Sequence, residues 1–492
     1  METSKQAEID PQDIKQRSFK GVIALTSRTF VLQVIALVAT FILTVLLDPA
    51  TFGIFFVVTA IVNFLNYFSD IGLAAALIQK SEEPTDEDLA TTFTIQQIMI
   101  TFIVIVALLL SQYIGKFYRF DAGGLFLLRA LIISFFLSSL KTIPSVLLER
   151  KLNFTKLIIP QIIESLTFYS VAIVLAYYKV GVASFAWAAI FRGITGTVAL
   201  YIIAPWKPSL QIVPSSAKKL LSFGLPYQAN SFLALLKDDL LTVFLGKILP
   251  FSAIGYIGWA KKWAEIALRL IMDNIIKVTF PAYSRLQVKP ELLTKAIHKS
   301  LVFLSLLSFP IAVGMMFMIH PIIEVIPRYI KWEPAILSFY LFTISSILAT
   351  LSSPLINALN ALGKVKYTFI MMLIWTVLTW ALVPFMVFKF GFNGVAMASV
   401  IIGLTSFMPL MFIRKIIPII FISQIIKPLM ATIGMVVVLF LVRMITKSSL
   451  ERIILGSLMG FATYIFLIYL MMEQEIKPYI LLLFHPKIEN KI

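Results

Sequence analysis

The sequence predicts an all-α polytopic membrane protein with about fourteen transmembrane helices. They are expected to form two pseudo-symmetric six-helix lobes around a central cavity, followed by two C-terminal helices. Three observations predict this. Of the 492 residues, 59% are hydrophobic and 14% are charged, against about 45–50% and about 25% in a soluble domain. Apolar runs of the length that crosses a bilayer, about 20 residues, recur along the whole chain. Finally, two segments in the first half are matched, in the same order, by segments in the second.

Residues 1–19 are polar and mixed in charge and read as a cytoplasmic segment. The apolar run behind them is too long for a signal-peptide core and lacks a small-residue cleavage site, so no cleavage is expected. The N-lobe, 20–205, takes spans at 20–46, 52–78, 89–112, 123–147, 157–178 and 183–204. A basic, amphipathic linker, 206–221, is expected to lie along the cytoplasmic surface. The C-lobe, 222–414, takes spans at 222–247, 252–280, 299–320, 335–360, 368–388 and 393–413. Residues 415–472 hold two further spans, 425–445 and 451–472, and 473–492 form a cytoplasmic tail. No connection is large enough to hold a catalytic domain.

With the N-terminus inside, cytoplasmic segments carry about 23 Lys and Arg and external ones about 10, as the positive-inside rule requires. That asymmetry accounts for the net charge of +17, and no nucleic-acid-binding motif is present. The acidic loop at 79–88 is an exception, but acidic residues weigh little in the rule. Cysteine is absent, which removes disulfides, thiol nucleophiles and thiolate metal sites. His298, His320 and His485 have no metal-ligand spacing and read as loop residues. Trp187, Trp206, Trp332 and Tyr479 read as markers of the headgroup region.

The repeat pairs Leu47–Ile54 with Leu249–Tyr256, at an offset of 202, and Gly181–Ala188 with Gly391–Ala398, at an offset of 210. Six spans per unit keep both units in the same orientation, which implies an axis along the membrane normal.

The residues that carry chemistry lie inside the spans. Lys261, Glu265, Arg269, Asp273 and Lys277 are spaced four apart with alternating sign, which places them on one helical face. Lys237, Asp238 and Asp239 lie near the middle of the seventh span, and Arg28 lies about two turns into the first. Shifted back by 202, the ladder falls on Thr59, Asn63 and Tyr67, so both halves carry a polar face on their second span. A charge at the bilayer centre costs roughly 2.5–3.5 kcal/mol or more, so such residues face a bundle interior or a watery cavity. Two readings remain open: an ion-pair network that fixes helix packing, and an anion-binding cavity. Basic residues outnumber acids within the spans by about three, which favours the cavity. Arginine presents a planar fork to phosphate or carboxylate, and lysine a point charge. Asp238, Asp239 and Glu265 are candidate sites for a coupling H⁺ or Na⁺.

Asp70–Gln79, preceded by Phe52-Gly53, resembles the first-half signature of bacterial oligosaccharide and lipopolysaccharide flippases. These are the polysaccharide transporters of the multidrug/oligosaccharidyl-lipid/polysaccharide superfamily. Asp239 to Lys247, Gly255-Tyr256 and Phe280–Leu286 resemble the second-half signature, with Ile257 where an aromatic often follows the Gly-Tyr pair. The likeness covers about 20–415. It implies a two-lobed bundle that opens alternately to each side and carries a polyprenyl-diphosphate-linked oligosaccharide to the outer leaflet. It also implies residence in the cytoplasmic (inner) membrane, both termini cytoplasmic. By this resemblance the substrate-binding positions fall on Arg28, Lys237, Lys261 and Arg269, with Asn63 on the matching face of the first half. No cofactor or metal is implied, and no nucleic acid. The expected partners are the lipid-linked substrate and the bilayer, with a polysaccharide polymerase and chain-length machinery as candidates. The alternative is a cation-coupled multidrug exporter of the same superfamily, but a net-positive cavity repels cationic drugs. A membrane glycosyltransferase or polymerase would need a larger extramembrane domain than these loops supply.

Overall fold

The computed structural model describes residues 30–69, 72–80, 82–229 and 232–484. Among these residues the chain is helical and contains no strand. It divides into two compact units, Met1–Gly255 and Tyr256–Ile492.

In the first unit the helices are α1 (Phe30–Leu46), α2 (Pro49–Ser69), α3 (Leu73–Gln79), α4 (Asp86–Tyr118), α5 (Ala122–Ser139), α6 (Thr142–Arg150), α7 (Phe154–Tyr177), α8 (Ala183–Ile203), α9 (Pro214–Ala229) and α10 (Phe232–Ile248). Helix α11 (Phe251–Leu286) runs into the second unit. There it is followed by α12 (Pro290–Val325), α13 (Ile336–Ala361), α14 (Val365–Phe390), α15 (Asn393–Leu404), α16 (Met408–Arg414), α17 (Phe421–Ile445) and α18 (Ser449–Phe484). Eleven spans among the described residues are long and apolar enough to cross a membrane. Helices α1, α10 and α11 fall short of that standard, and the charged residues of the candidate site lie in the sequences of the three corresponding expected spans. Helix α1 is described only from Phe30, α10 has 17 residues, and α11 is interrupted by its charges.

Local chemistry sets the helix ends. The acidic loop ahead of α4 is a helix start. Thr85 accepts the Asp88 N–H at 3.2 Å, and Asp88 accepts the Thr85 N–H at 3.0 Å. This capping box places three acids in the first turn, where the helix dipole favours them. Asp121 caps α5 through the Gly124 N–H, and Asn153 caps α7 through the Lys156 N–H. Several expected spans are broken in the structure. The stretch 52–78 splits into α2 and α3, because Gly72 takes the left-handed conformation, φ 76°. The stretch 123–147 splits into α5 and α6, and 393–413 into α15 and α16 joined by a short 3₁₀ turn.

Arg150, the last residue of α6, closes the end of α3. Its guanidinium donates to the carbonyls of Leu77 (2.6 Å), Ile78 (3.1 Å), Lys80 (2.7 Å) and Glu82 (2.8 Å). Helix-end carbonyls have no partner within their own helix, and a planar fork of donors satisfies several at once. Arg150→Ala is expected to destabilise the protein by about 2–3 kcal/mol. Arg150→Lys should recover only part of this, because one ammonium cannot span four carbonyls. Thermal unfolding in detergent checks both values.

The inter-helix linker is docked, not free. Gln211 and Val213 donate their backbone N–H groups to Thr94 and Thr91 of α4, and Trp206 packs edge-on against Phe93. Trp332, expected at the headgroups, is instead fully buried in the second unit. It stacks on Trp259 at 5.3 Å, and Trp259 donates its indole N–H to the Tyr329 hydroxyl. Ring stacking on Trp259 and an edge contact with Tyr256 give Trp332 an aromatic pocket in the core in place of the interface. His298 and His320 sit on α12 and not in loops, and His485 lies outside the described residues.

Both repeats keep their local geometry. Gly181 and Gly391 both have positive φ, 70° and 60°, just ahead of α8 and α15. Pro49–Gly53 and Phe251–Gly255, the other repeated pair, cross each other reciprocally. A Cβ built on Gly53 would lie 1.8 Å from the Phe251 carbonyl oxygen, and one on Gly255 would lie 1.9 Å from that of Pro49. In the second unit, Leu293, Ile297, Leu301, Leu355, Leu359 and Met371 form a buried core. Helices α17 and α18 dock on α12 through Ala431, Met435, Leu439 and Ile468. The Tyr464 hydroxyl donates to the Leu306 carbonyl at 2.8 Å.

Candidate functional site

In the first unit, α2 and α10 pack closely because Gly246 faces Val57; a Cβ there would come within 2.5 Å of that side chain. This contact brings two sequence-flagged residues together. Asn63 Nδ2 donates to Asp239 Oδ1 at 3.1 Å. Asn63 is exposed and Asp239 half-buried, so the pair sits at the edge of an open polar face. Lys237 is half-buried on the same helix, and Asp238 is exposed, its carbonyl accepting the Thr242 hydroxyl. Arg28 lies outside the described residues.

In the second unit, α11 is two-faced. Ala260, Ala264 and Leu268 form a stripe with essentially no exposure. Lys261, Glu265 and Arg269 form the adjoining stripe, one residue further along at each turn. The expected charge ladder has one clear rung, Arg269 Nε to Glu265 Oε2 at 2.8 Å. Asp273 and Lys277 form no ion pair among the described residues, since an exposed rung gains little over solvation. The Glu265 side chain is 22% exposed and that of Arg269 59%. The carboxylate thus holds an arginine whose remaining donors are open.

Sequence reasoning missed a third cluster. Glu164 of α7 takes Lys141 Nζ at 2.5 Å and Arg192 Nε of α8 at 3.6 Å. Gly196 makes the room: a Cβ there would overlap the Glu164 carboxylate at 2.2 Å. Arg192 also lies over the Phe168 ring, 5.9 Å from its centroid. Lys141 is inward and paired. The only signal in the sequence was two opposite charges near the middle of adjacent spans. Glu164→Ala leaves a half-buried lysine unpaired and is expected to cost about 2 kcal/mol, read as a fall in thermal stability.

No group of three or more His, Cys, Asp or Glu suited to a metal ion occurs among the described residues.

A family profile described as "Polysaccharide biosynthesis protein" matches residues 42–337. The chain is 23% identical over 387 residues to an "Uncharacterized membrane protein in cps region" of Klebsiella pneumoniae, covering 77% of each protein. It is 21% identical over 366 residues to the "Lipopolysaccharide biosynthesis protein WzxC" of Escherichia coli K12, covering 72% of each. Among solved structures, the lipid II flippase MurJ in an inward closed conformation superposes with a TM-score of 0.73 at 17% identity. That match covers 92% of this chain and 99% of MurJ, which shows a shared fold.

Proposed function

This chain belongs to the polysaccharide biosynthesis protein family, and from that premise we propose that it is a flippase for a polyprenyl-diphosphate-linked oligosaccharide. It is a multi-pass membrane transporter and not an enzyme. The substrate moves from the cytoplasmic to the outer leaflet by alternating access, in a cell membrane with both termini cytoplasmic. The observation that carries this reading is the Arg269–Glu265 pair on the charged face of α11, a held but open guanidinium. Arg269, with Lys261, binds the diphosphate. Lys237 and Asn63, on α10 and α2 of the first unit, and Arg28, in the first span read from the sequence, are the other substrate-binding candidates.

The physics supports an anionic cargo. A sugar-diphosphate cannot enter hydrocarbon unaided, because every buried polar group without a partner carries a desolvation cost. Fixed cations replace its water shell. An inside-negative potential favours outward movement by roughly 2.3 kcal/mol per charge per 100 mV. The WzxC and MurJ names fit the same substrate class. A polysaccharide polymerase and chain-length machinery would act on the delivered product.

Deleting the gene tests the reading. A lipid-linked glycan should accumulate on the cytoplasmic leaflet, and an unchanged distribution of every such lipid would refute it.

Coupling to H⁺ or Na⁺ is assigned to Asp238, Asp239 and Glu265. Asp238→Asn, Asp239→Asn and Glu265→Gln are each expected to weaken the dependence of export on an ion gradient. If all three leave that dependence intact, the coupling role is lost.

A further inference from the structure

Helices α12, α13, α17 and α18 line a half-open pocket of about 470 Å³ in the second unit. This is within the range of small-ligand sites, and it lies apart from the charged face of α11. Its body is apolar, built from Val313 and Phe317 of α12 and Val436, Leu439 and Phe440 of α17. Its polar lining residues come from helix ends. His320 lies near the end of α12, Tyr340 in the second turn of α13, Arg443 in the last turn of α17 and Arg452 in the first turn of α18. The cavity therefore has an oily length and a cationic mouth.

Arg452 is not explained by local structure. Arg443 suits a helix C-terminus. Arg452 sits at a helix N-terminus, where the dipole opposes a cation. Its Nε is buried and has no hydrogen-bond partner among the described residues. The nearby acids are engaged elsewhere. Glu324 accepts from the Ser449 hydroxyl and pairs with His320 at 3.0 Å, while Glu451 accepts the backbone N–H groups of Lys447 and Ser448. Neither Arg443 nor Arg452 has a carboxylate partner among the described residues. Two cations with no acid, one with an orphaned buried donor, at the mouth of an apolar cavity call for an anion that carries a hydrocarbon chain.

We propose that this cavity is a binding site for one net-anionic phospholipid. The phosphate sits on Arg443 and Arg452, and an acyl chain runs along Val313, Phe317 and Leu439. The inference rests on membrane residence alone and stands whether or not the transported cargo is a lipid-linked glycan.

The test uses the purified, delipidated full chain and native mass spectrometry with phosphatidylglycerol, phosphatidylcholine, inorganic phosphate and a polyprenyl diphosphate as separate probes. One phosphatidylglycerol should bind per chain, about tenfold more tightly than phosphatidylcholine. The double variant R443Q/R452Q should bring the two lipids to parity. Arg443 is exposed, so Arg443→Gln alone provides a folded variant with a partial loss. Four results would overturn the proposal: equal binding of both lipids by the native protein, unchanged phosphatidylglycerol binding in the double variant, displacement of the lipid by inorganic phosphate, and its displacement by the polyprenyl diphosphate. Of these, the third would indicate an ion site and the fourth a cargo site.

Discussion

Replacing Gly53 or Gly255 with leucine is expected to leave little folded protein in the membrane. These glycines sit where the two repeated segments cross, and each faces the other's backbone. The added Cβ would lie 1.8 Å from a carbonyl oxygen in one case and 1.9 Å in the other. Overpacking a core costs about 1–3 kcal/mol when side chains can move aside. Here the obstacle is main chain, so whole helices must separate and the cost exceeds about 3 kcal/mol. Alanine already supplies the offending atom and should fail at both positions. Gly314 of α12 provides the contrast, because a Cβ there meets nothing nearer than 3.8 Å. Gly314→Ala should be tolerated. The measurement is the amount of monodisperse protein extracted from the membrane, with its melting temperature. Native-like yield and melting for Gly53→Leu would show that the crossing is looser than described.

Arg269→Ala is expected to lower export of the lipid-linked glycan about 100-fold while leaving the protein folded. Two charge-assisted hydrogen bonds to a diphosphate, each contributing about 1.5 kcal/mol, give a loss of that order. Stability should change little, because the side chain is 59% exposed and its bond to Glu265 is a partly solvated one. Arg269→Lys keeps the charge but not the fork and should fall between. Adding Arg28→Ala should deepen the loss. Full export by the double variant would remove the anion-binding argument. Quantifying surface glycan against membrane protein level separates transport from folding.

Much of the fold was legible because a bilayer imposes length and polarity on every span. Breaks were harder to see. The turn at Gly72 depends on one positive φ inside an apolar stretch, and apolar composition does not reveal it. Trp332 looked interfacial because tryptophan often is, yet its neighbour Trp259 is 73 positions away in sequence. The site divides along the same line. Helical spacing alone placed Glu265 and Arg269 together, because partners one turn apart share a face. The repeat flagged Asn63, but its bond to Asp239 spans 176 positions and depends on α2 and α10 being neighbours. The pairing of Lys141 with Glu164 likewise follows from helix packing, which residue spacing does not encode.

In the proposed function, fixed cations on these helices carry a glycan-diphosphate headgroup through the bilayer. The direct measurement is flipping by the purified protein in proteoliposomes that contain a polyprenyl-diphosphate-linked oligosaccharide. Exposure of the headgroup on the opposite leaflet is followed with a membrane-impermeant glycan-modifying probe. The expected result is time-dependent exposure that requires the protein, is strongly reduced by Arg269→Ala, and is absent for a neutral polyprenyl glycoside. Equal movement of the charged and neutral lipids, or none of either with correctly folded protein, would contradict the account.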